Sequence, residues 1–119
     1  MILVVDDESV TRRVVTHALS ILQVEVMGAG SGEEALALAE QHHFDLAIVD
    51  IHLPDVDGFE VMYQLRQMQH LQVMPIIVFT ARTHPGDDAA AAEVGASGFL
   101  YKPFSTQEIR ELVTYYLRL

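Results

Sequence analysis

Three runs constrain this chain more than anything else in it: Ile2 to Val5, Leu46 to Val49 and Ile76 to Phe79. Each is strand-length, rich in β-branched side chains and free of polar residues. A strand with one wet face alternates apolar and polar residues; a strand covered on both faces reads as an unbroken apolar run. These runs therefore predict strands buried on both sides. Two weaker runs, Val24 to Met27 and Phe99 to Tyr101, bring the expected strands to five. Parallel strands need crossovers, so helices should lie between them.

Helical patterns do lie between them. Ser9 is placed to cap a helix running to about Leu22, with Val10, Val14 and Leu22 on one side. Ser31 stands three residues before Glu34, the spacing of a capping box, and Ala35, Leu38 and Ala39 face inward. A third helix starts near Gly58 and carries Val61, Met62 and Leu65. A fourth, Ala-rich, spans Asp87 to Val94 and stops before Gly95. A fifth opens at Ser105, with Glu108 three positions on and a stripe of Ile109, Leu112, Val113, Tyr116 and Leu117. The expectation is one α/β domain over residues 1–119: a parallel sheet with five helices on its two faces. No repeat, low-complexity tract or internal linker interrupts it, and with the last pattern running to the final residue no output domain is expected.

Composition excludes several functions. The 119 residues are half hydrophobic and include no cysteine, so disulfides and thiolate metal sites are out. No apolar run approaches the ~20 residues of a membrane span. The N-terminus lacks the basic region of a signal peptide. A cytoplasmic protein with no membrane contact is expected. The formal net charge of −10 repels nucleic acid, so direct contact with DNA is not expected either.

In doubly wound sheets, sites form beyond the carboxyl ends of the strands, where the winding direction switches. The first strand here ends in Asp6-Asp7, the third in Asp50, the fourth in Thr80 and the fifth in Lys102-Pro103. Two carboxylates about 4 Å apart repel by roughly 4 kcal/mol at an effective dielectric constant near 20. A hard divalent cation resolves that conflict, and Mg²⁺ prefers carboxylate oxygens while keeping positions for substrate oxygens. An ammonium and a hydroxyl beside such an ion suit phosphoryl transfer, which is mainly positioning and charge neutralisation. A carboxylate nucleophile would then form an aspartyl phosphate. Plainer readings stand beside these. Asp6-Asp7 also suits a helix cap, Thr80 a turn, and Lys102, the sole lysine, an ordinary surface position.

Four segments carry a resemblance over nearly the whole chain: Val4-Val5-Asp6-Asp7-Glu8, then Val49-Asp50-Ile51-His52-Leu53-Pro54-Asp55-Val56-Asp57-Gly58, then Phe79-Thr80-Ala81, and Gly95 through Phe104. In order and at strand ends, they resemble the receiver domains of two-component signalling, chemotaxis receivers among them. The resemblance implies a flavodoxin-like sheet of strand order 2-1-3-4-5. It implies Asp50 as phosphoacceptor and Asp7 and Asp50 as Mg²⁺ ligands, with Asp6 acting through water and the His52 carbonyl as a further ligand. It gives Thr80, Lys102 and the Ala81 N–H to the phosphoryl oxygens, and a cis bond to Lys102-Pro103. His52 and Arg82 would flank the path of the hydrolytic water. Thr80 and Phe99 would form the switch, although Phe99 also reads simply as a core aromatic. A histidine kinase or phosphotransfer protein would supply the phosphoryl group, and a downstream output domain or protein would receive the signal.

Other patterns in the chain are weaker. Asp55, Asp57 and Gly58 suggest part of a calcium loop, but Leu53 and Gln64 occupy its first and last ligand positions. The six histidines form no metal set; His42-His43 suit a helix end. A dehalogenase-type phosphatase needs a second aspartate two residues after the nucleophile, where His52 stands. A pseudo-receiver would lack a site residue, and none is missing. The fourth helix offers acids, Asp87, Asp88 and Glu93, and Ser97-Gly98 replaces an acidic pair before the fifth strand. The charge-matched dimer of winged-helix relatives is therefore not expected.

Overall fold

The computed structural model describes residues 1–80, 93 and 95–119. Five strands, β1 (Ile2–Val5), β2 (Val26–Ala29), β3 (Leu46–Asp50), β4 (Ile76–Thr80) and β5 (Gly98–Tyr101), form one sheet. All neighbours pair in parallel, in the order β2-β1-β3-β4-β5. Four α-helices are described: α1 (Ser9–Ser20), α2 (Gly32–Gln41), α3 (Gly58–Gln67) and α4 (Thr106–Leu117). The helix expected over 87–94 falls outside the described residues except for Glu93, which is helical and exposed.

The unbroken apolar runs are explained by two cores. Leu3, Val5, Ala47, Val49, Ile76 and Val78 point to the face covered by α2 and α3. Ile2, Val4, Leu46, Ile48, Ile77 and Phe79 point to the face covered by α1 and α4. All twelve are fully buried, and burying each Val, Leu, Ile or Phe side chain among them contributes about 1.5–3 kcal/mol. Because β1 leads outward to β2 and the chain then returns to β3 on the other side of β1, the order reverses between β1 and β3. Their carboxyl ends flank the crevice this reversal opens.

Three local expectations need correction. The second strand runs over Val26–Ala29 instead of beginning at Val24. Val24 packs against the α1–α4 core before the ladder begins, following a left-handed residue, Gln23, at φ 58°. The apolar run marked burial, and the ladder extends past it over Gly28 because β1 supplies the partners. On α1 the inward residues are Val15, Ala18 and Leu19, whereas Val10 and Val14 are exposed and only Leu22, just past the helix, packs inward. Both stripes satisfy a 3.6 period, so pattern alone does not choose between them. Ser9 is the first helical residue and Glu8 the N-cap, without a side-chain cap bond.

The other helix starts form largely as their residues suggest. Ser31 Oγ accepts from the Glu34 N–H at 3.2 Å, but the Glu34 carboxylate accepts from Gly30 N–H at 2.7 Å, one residue beyond a capping box. Asp57 caps α3 through the Phe59 N–H. Ser105 and Glu108 form the complete capping box of α4. On α4, Ile109 and Val113 are buried and Leu112, Tyr116 and Leu117 pack beside them.

Candidate functional site

The strand ends converge as their positions demand. Asp50 is the last residue of β3, and Asp6 and Asp7 directly follow β1. Asp6 is fully buried, Asp50 is 6% exposed and Asp7 is exposed. One carboxylate oxygen from each lies within 4.8 Å of the others. Lys102 directly follows β5, and its bond to Pro103 is cis, as expected.

Lys102 closes the cluster from β5. Its Nζ donates to Asp6 Oδ2 at 2.8 Å and to Asp50 Oδ2 at 3.1 Å. Glu8 Oε1 stands farther off at 3.8 Å. The ammonium also sits 5.7 Å from the centre of the Phe79 ring, within cation–π range. Phe79 in turn stacks on Phe104, with ring centres 5.0 Å apart. Burial pushes the Lys102 pKa down, but the hydrogen bond to Asp6 and the charge and hydrogen bond of Asp50 outweigh it, so the net shift is upward. The lysine is thus a charged bridge between two buried carboxylates, not a surface residue.

The second oxygens are held by backbone. Asp6 Oδ1 accepts from Glu8 N–H at 2.9 Å and Asp50 Oδ1 from His52 N–H at 2.8 Å. Asp6 therefore makes a local turn and does not cap α1. The loop after β3 is pinned to α3, where the Gly58 N–H donates to the Ile51 carbonyl at 3.2 Å. A Cβ at Gly58 would lie 2.3 Å from Ile51 Cα and 2.5 Å from the Asp50 backbone carbonyl oxygen, so no side chain fits there without movement. Asp55, in the same loop, caps α2 from outside by accepting from Gly32 N–H at 2.9 Å and Glu33 N–H at 3.1 Å. The Gly32 and then the Glu33 amide hold its carboxyl below the usual 3.8.

Thr80 ends β4 opposite Tyr101 on β5. Ala81 and Arg82 lie outside the described residues. His52 is exposed in the loop after Asp50. Phe99 on β5 is half-buried against the core under α2 and α3. Two structurally active residues, Arg12 and Arg66, are not marked by the sequence, and Asp55 takes a role other than the one its pattern suggests. Arg12 donates to the Asp6 carbonyl at 2.6 Å. Asp55 ties α2 to the β3 loop. Arg66 binds the carbonyls of Leu71, Gln72, Met74 and Gly95. Each acts through backbone partners outside its own element, which residue type and spacing do not reveal.

The donor set is all oxygen with a net negative charge, which fits a hard divalent cation such as Mg²⁺ and disfavours a soft one. Among the described residues it is the one group of three acidic or histidine side chains with ligand atoms so close.

Comparison with known proteins agrees with this chemistry. A family model described as the response regulator receiver domain matches residues 2–114. The alkaline phosphatase synthesis transcriptional regulatory protein PhoP of Bacillus subtilis is 39% identical over 117 residues, covering 98% of this chain and 48% of that protein. The chain thus spans about half the length of the curated relatives it matches. The chemotaxis protein CheY4 of Vibrio cholerae superposes with a TM-score of 0.91 at 34% identity, covering 97% of this chain and 96% of that one. The receiver domain of the sensor histidine kinase PA1611 of Pseudomonas aeruginosa, solved with magnesium coordinated in its active site cleft, gives 0.89 at 28% identity, with 99% and 97% covered.

Proposed function

This chain belongs to the response regulator receiver domain family of two-component systems, and on that premise we propose that it takes a phosphoryl group onto Asp50 from a phosphohistidine. The single observation that carries the reading is the Lys102 ammonium bound to both Asp6 and Asp50, beside three carboxylates within 4.8 Å. An Asp50 carboxylate oxygen forms the new bond to phosphorus as the phosphorus–nitrogen bond of the donor breaks. The electron pair leaves with the imidazole. Asp50 loses its charge as the acyl phosphate forms, which frees Lys102 to turn its hydrogen bond toward a phosphoryl oxygen. Thr80 and the Ala81 N–H are assigned the other phosphoryl oxygens. Asp7, Asp50 and the His52 carbonyl would hold Mg²⁺, with Asp6 acting through water, and the ion would supply neutralising charge there.

In this reading residues 1–119 are one receiver unit and a signalling switch, not a metabolic enzyme. It catalyses its own phosphotransfer and a slow hydrolysis of the acyl phosphate, in which the neighbours His52 and Arg82 tune the lifetime. The donor is a histidine kinase or phosphotransfer protein. Thr80 and Phe99 pass the change to an output domain or protein. The full-length PhoP relative is a transcriptional regulator, so any DNA contact belongs to the output region, not to this acidic domain. Labelling with a small-molecule phosphodonor tests the assignment. Wild type should become labelled and Asp50→Asn should not, nor should that variant bind beryllofluoride. Persistent labelling of Asp50→Asn would refute it.

A further inference from the structure

The carboxylates of the site are not held equally. Asp6 is fixed through Glu8 N–H and Lys102, and Asp50 through His52 N–H and Lys102. Asp7 is exposed, and no hydrogen bond to a described residue holds its carboxylate. Its position depends on the backbone it leaves. The Asp6 carbonyl oxygen, the Asp7 nitrogen and the Asp7 Cα lie in one rigid peptide plane. Whatever fixes that oxygen fixes the line of the Asp7 N–Cα bond, the stem from which the side chain is carried, and leaves rotation about φ and the side-chain torsions to place the carboxylate.

Arg12 fixes it. From the first turns of α1 its Nη1 donates to the Asp6 carbonyl at 2.6 Å. The Asp6 N–H, on the other side of the residue, donates to Ala29 at the end of β2 at 3.1 Å. The arginine side chain reaches this point along β2, in a trough left by two glycines at alternate positions. A Cβ at Gly28 would come 3.1 Å from Arg12 Cδ, and one at Gly30 3.3 Å from Nη1. Helix, edge strand and side chain together aim one peptide plane.

We propose that Arg12 is a positioning residue of the metal site, setting the place of the Asp7 carboxylate through the Asp6–Asp7 peptide plane. The inference rests on the reading that these carboxylates hold Mg²⁺. Charge and position pull in opposite directions here, which makes the role testable. A guanidinium near the cluster repels a cation, so removing charge alone strengthens Mg²⁺ binding. Losing the aim of Asp7 weakens it, and supporting residues behind metal ligands typically change affinity by about 10- to 100-fold.

The experiment is calorimetric titration of the intact chain with MgCl₂, for wild type, Arg12→Ala and Gly28→Ala, well below the melting temperature of each variant. Gly28→Ala keeps the charge and displaces the arginine stem by a few tenths of an ångström. Arg12→Ala should bind Mg²⁺ about 10-fold more weakly, and Gly28→Ala should be weaker in the same direction by a smaller factor. Equal or tighter binding by Arg12→Ala overturns the proposal. Where Arg12→Ala does not fold, Gly28→Ala decides, and wild-type affinity there overturns it. A wild type that takes up no Mg²⁺ removes the metal reading itself, an outcome distinct from a wild type that binds and an Arg12 variant that binds equally well.

Discussion

Asp6 and Asp7 are adjacent and chemically identical, yet the fold gives them different tasks. Asp6 is buried under Lys102, and Asp7 is exposed at the edge of the cluster. Asp7→Asn should therefore weaken Mg²⁺ binding by at least about 10-fold without lowering the melting temperature, since it removes a repelling charge from an exposed side chain. A melting point well below wild type would place Asp7 in the scaffold instead. Asp55 makes a prediction in pH. Its carboxyl is held below 3.8 by the Gly32 and Glu33 amides. A group with a depressed folded pKa stabilises fully above its unfolded value and loses that contribution as pH falls through the folded one. Asp55→Asn should thus flatten the acid limb of stability below about pH 4, the unfolded range of Asp. Urea unfolding at a series of pH values reads this directly, and an unchanged slope would sink the assignment.

At the level of elements, the site depends on how closely α3 approaches the end of β3. Gly58 is the contact, with no room for a Cβ against Ile51 and the Asp50 backbone carbonyl oxygen. Gly58→Ala must move either the helix or the loop, and overpacking of this kind costs about 1–3 kcal/mol. Since that loop carries His52 and leaves directly from Asp50 at the end of β3, Mg²⁺ affinity should fall along with stability. Loss of stability with unchanged affinity would show that the loop moves independently of the site. The start of β5 is a second junction. Ser97 Oγ accepts from Ile76 N–H at 3.1 Å, its N–H donates to the Ile76 carbonyl at 2.7 Å, and its carbonyl accepts from the Tyr116 hydroxyl at 2.7 Å. Tyr116→Phe removes that last bond and leaves the packing, so a loss of about 0.5–1.5 kcal/mol is expected in chemical unfolding. Tyr115 beside it is 74% exposed, whereas Tyr116 is partly buried against the α1–α4 core.

For the molecule as a whole, charge governs self-association. At −10 net, two copies repel unless an interface supplies matched cations, and Ser97-Gly98, at the start of β5, offers no acids for a partner's bases. Activation with beryllofluoride should therefore yield no dimer that forms at low salt and dissolves at high salt. Any dimer should rest on apolar contacts that survive high salt. Light scattering at both ionic strengths measures this, and a salt-sensitive, activation-dependent dimer would contradict it.

Sequence alone determined the layering, because a buried parallel strand has to be apolar on both faces and a crossover helix has to follow it. It also placed Asp6, Asp7, Asp50, Thr80 and Lys102 at strand ends, since a strand's last residue is where its apolar run stops. Tertiary structure decided what local pattern leaves degenerate. The inward face of α1 was one such choice, because Val10–Val14 and Val15–Ala18–Leu19 fit a helical period equally well. The bounds of β2 were another, because an edge strand takes its pairing from β1 and tolerates Gly28. The bonds that hold the site were the third. Arg12 on the Asp6 carbonyl, Asp55 on the start of α2 and Lys102 across two carboxylates join groups 6, 23, 96 and 52 residues apart. Such bonds are made between a side chain and whatever backbone or charge the fold brings to it, and no residue announces that partner in its own neighbourhood of the chain.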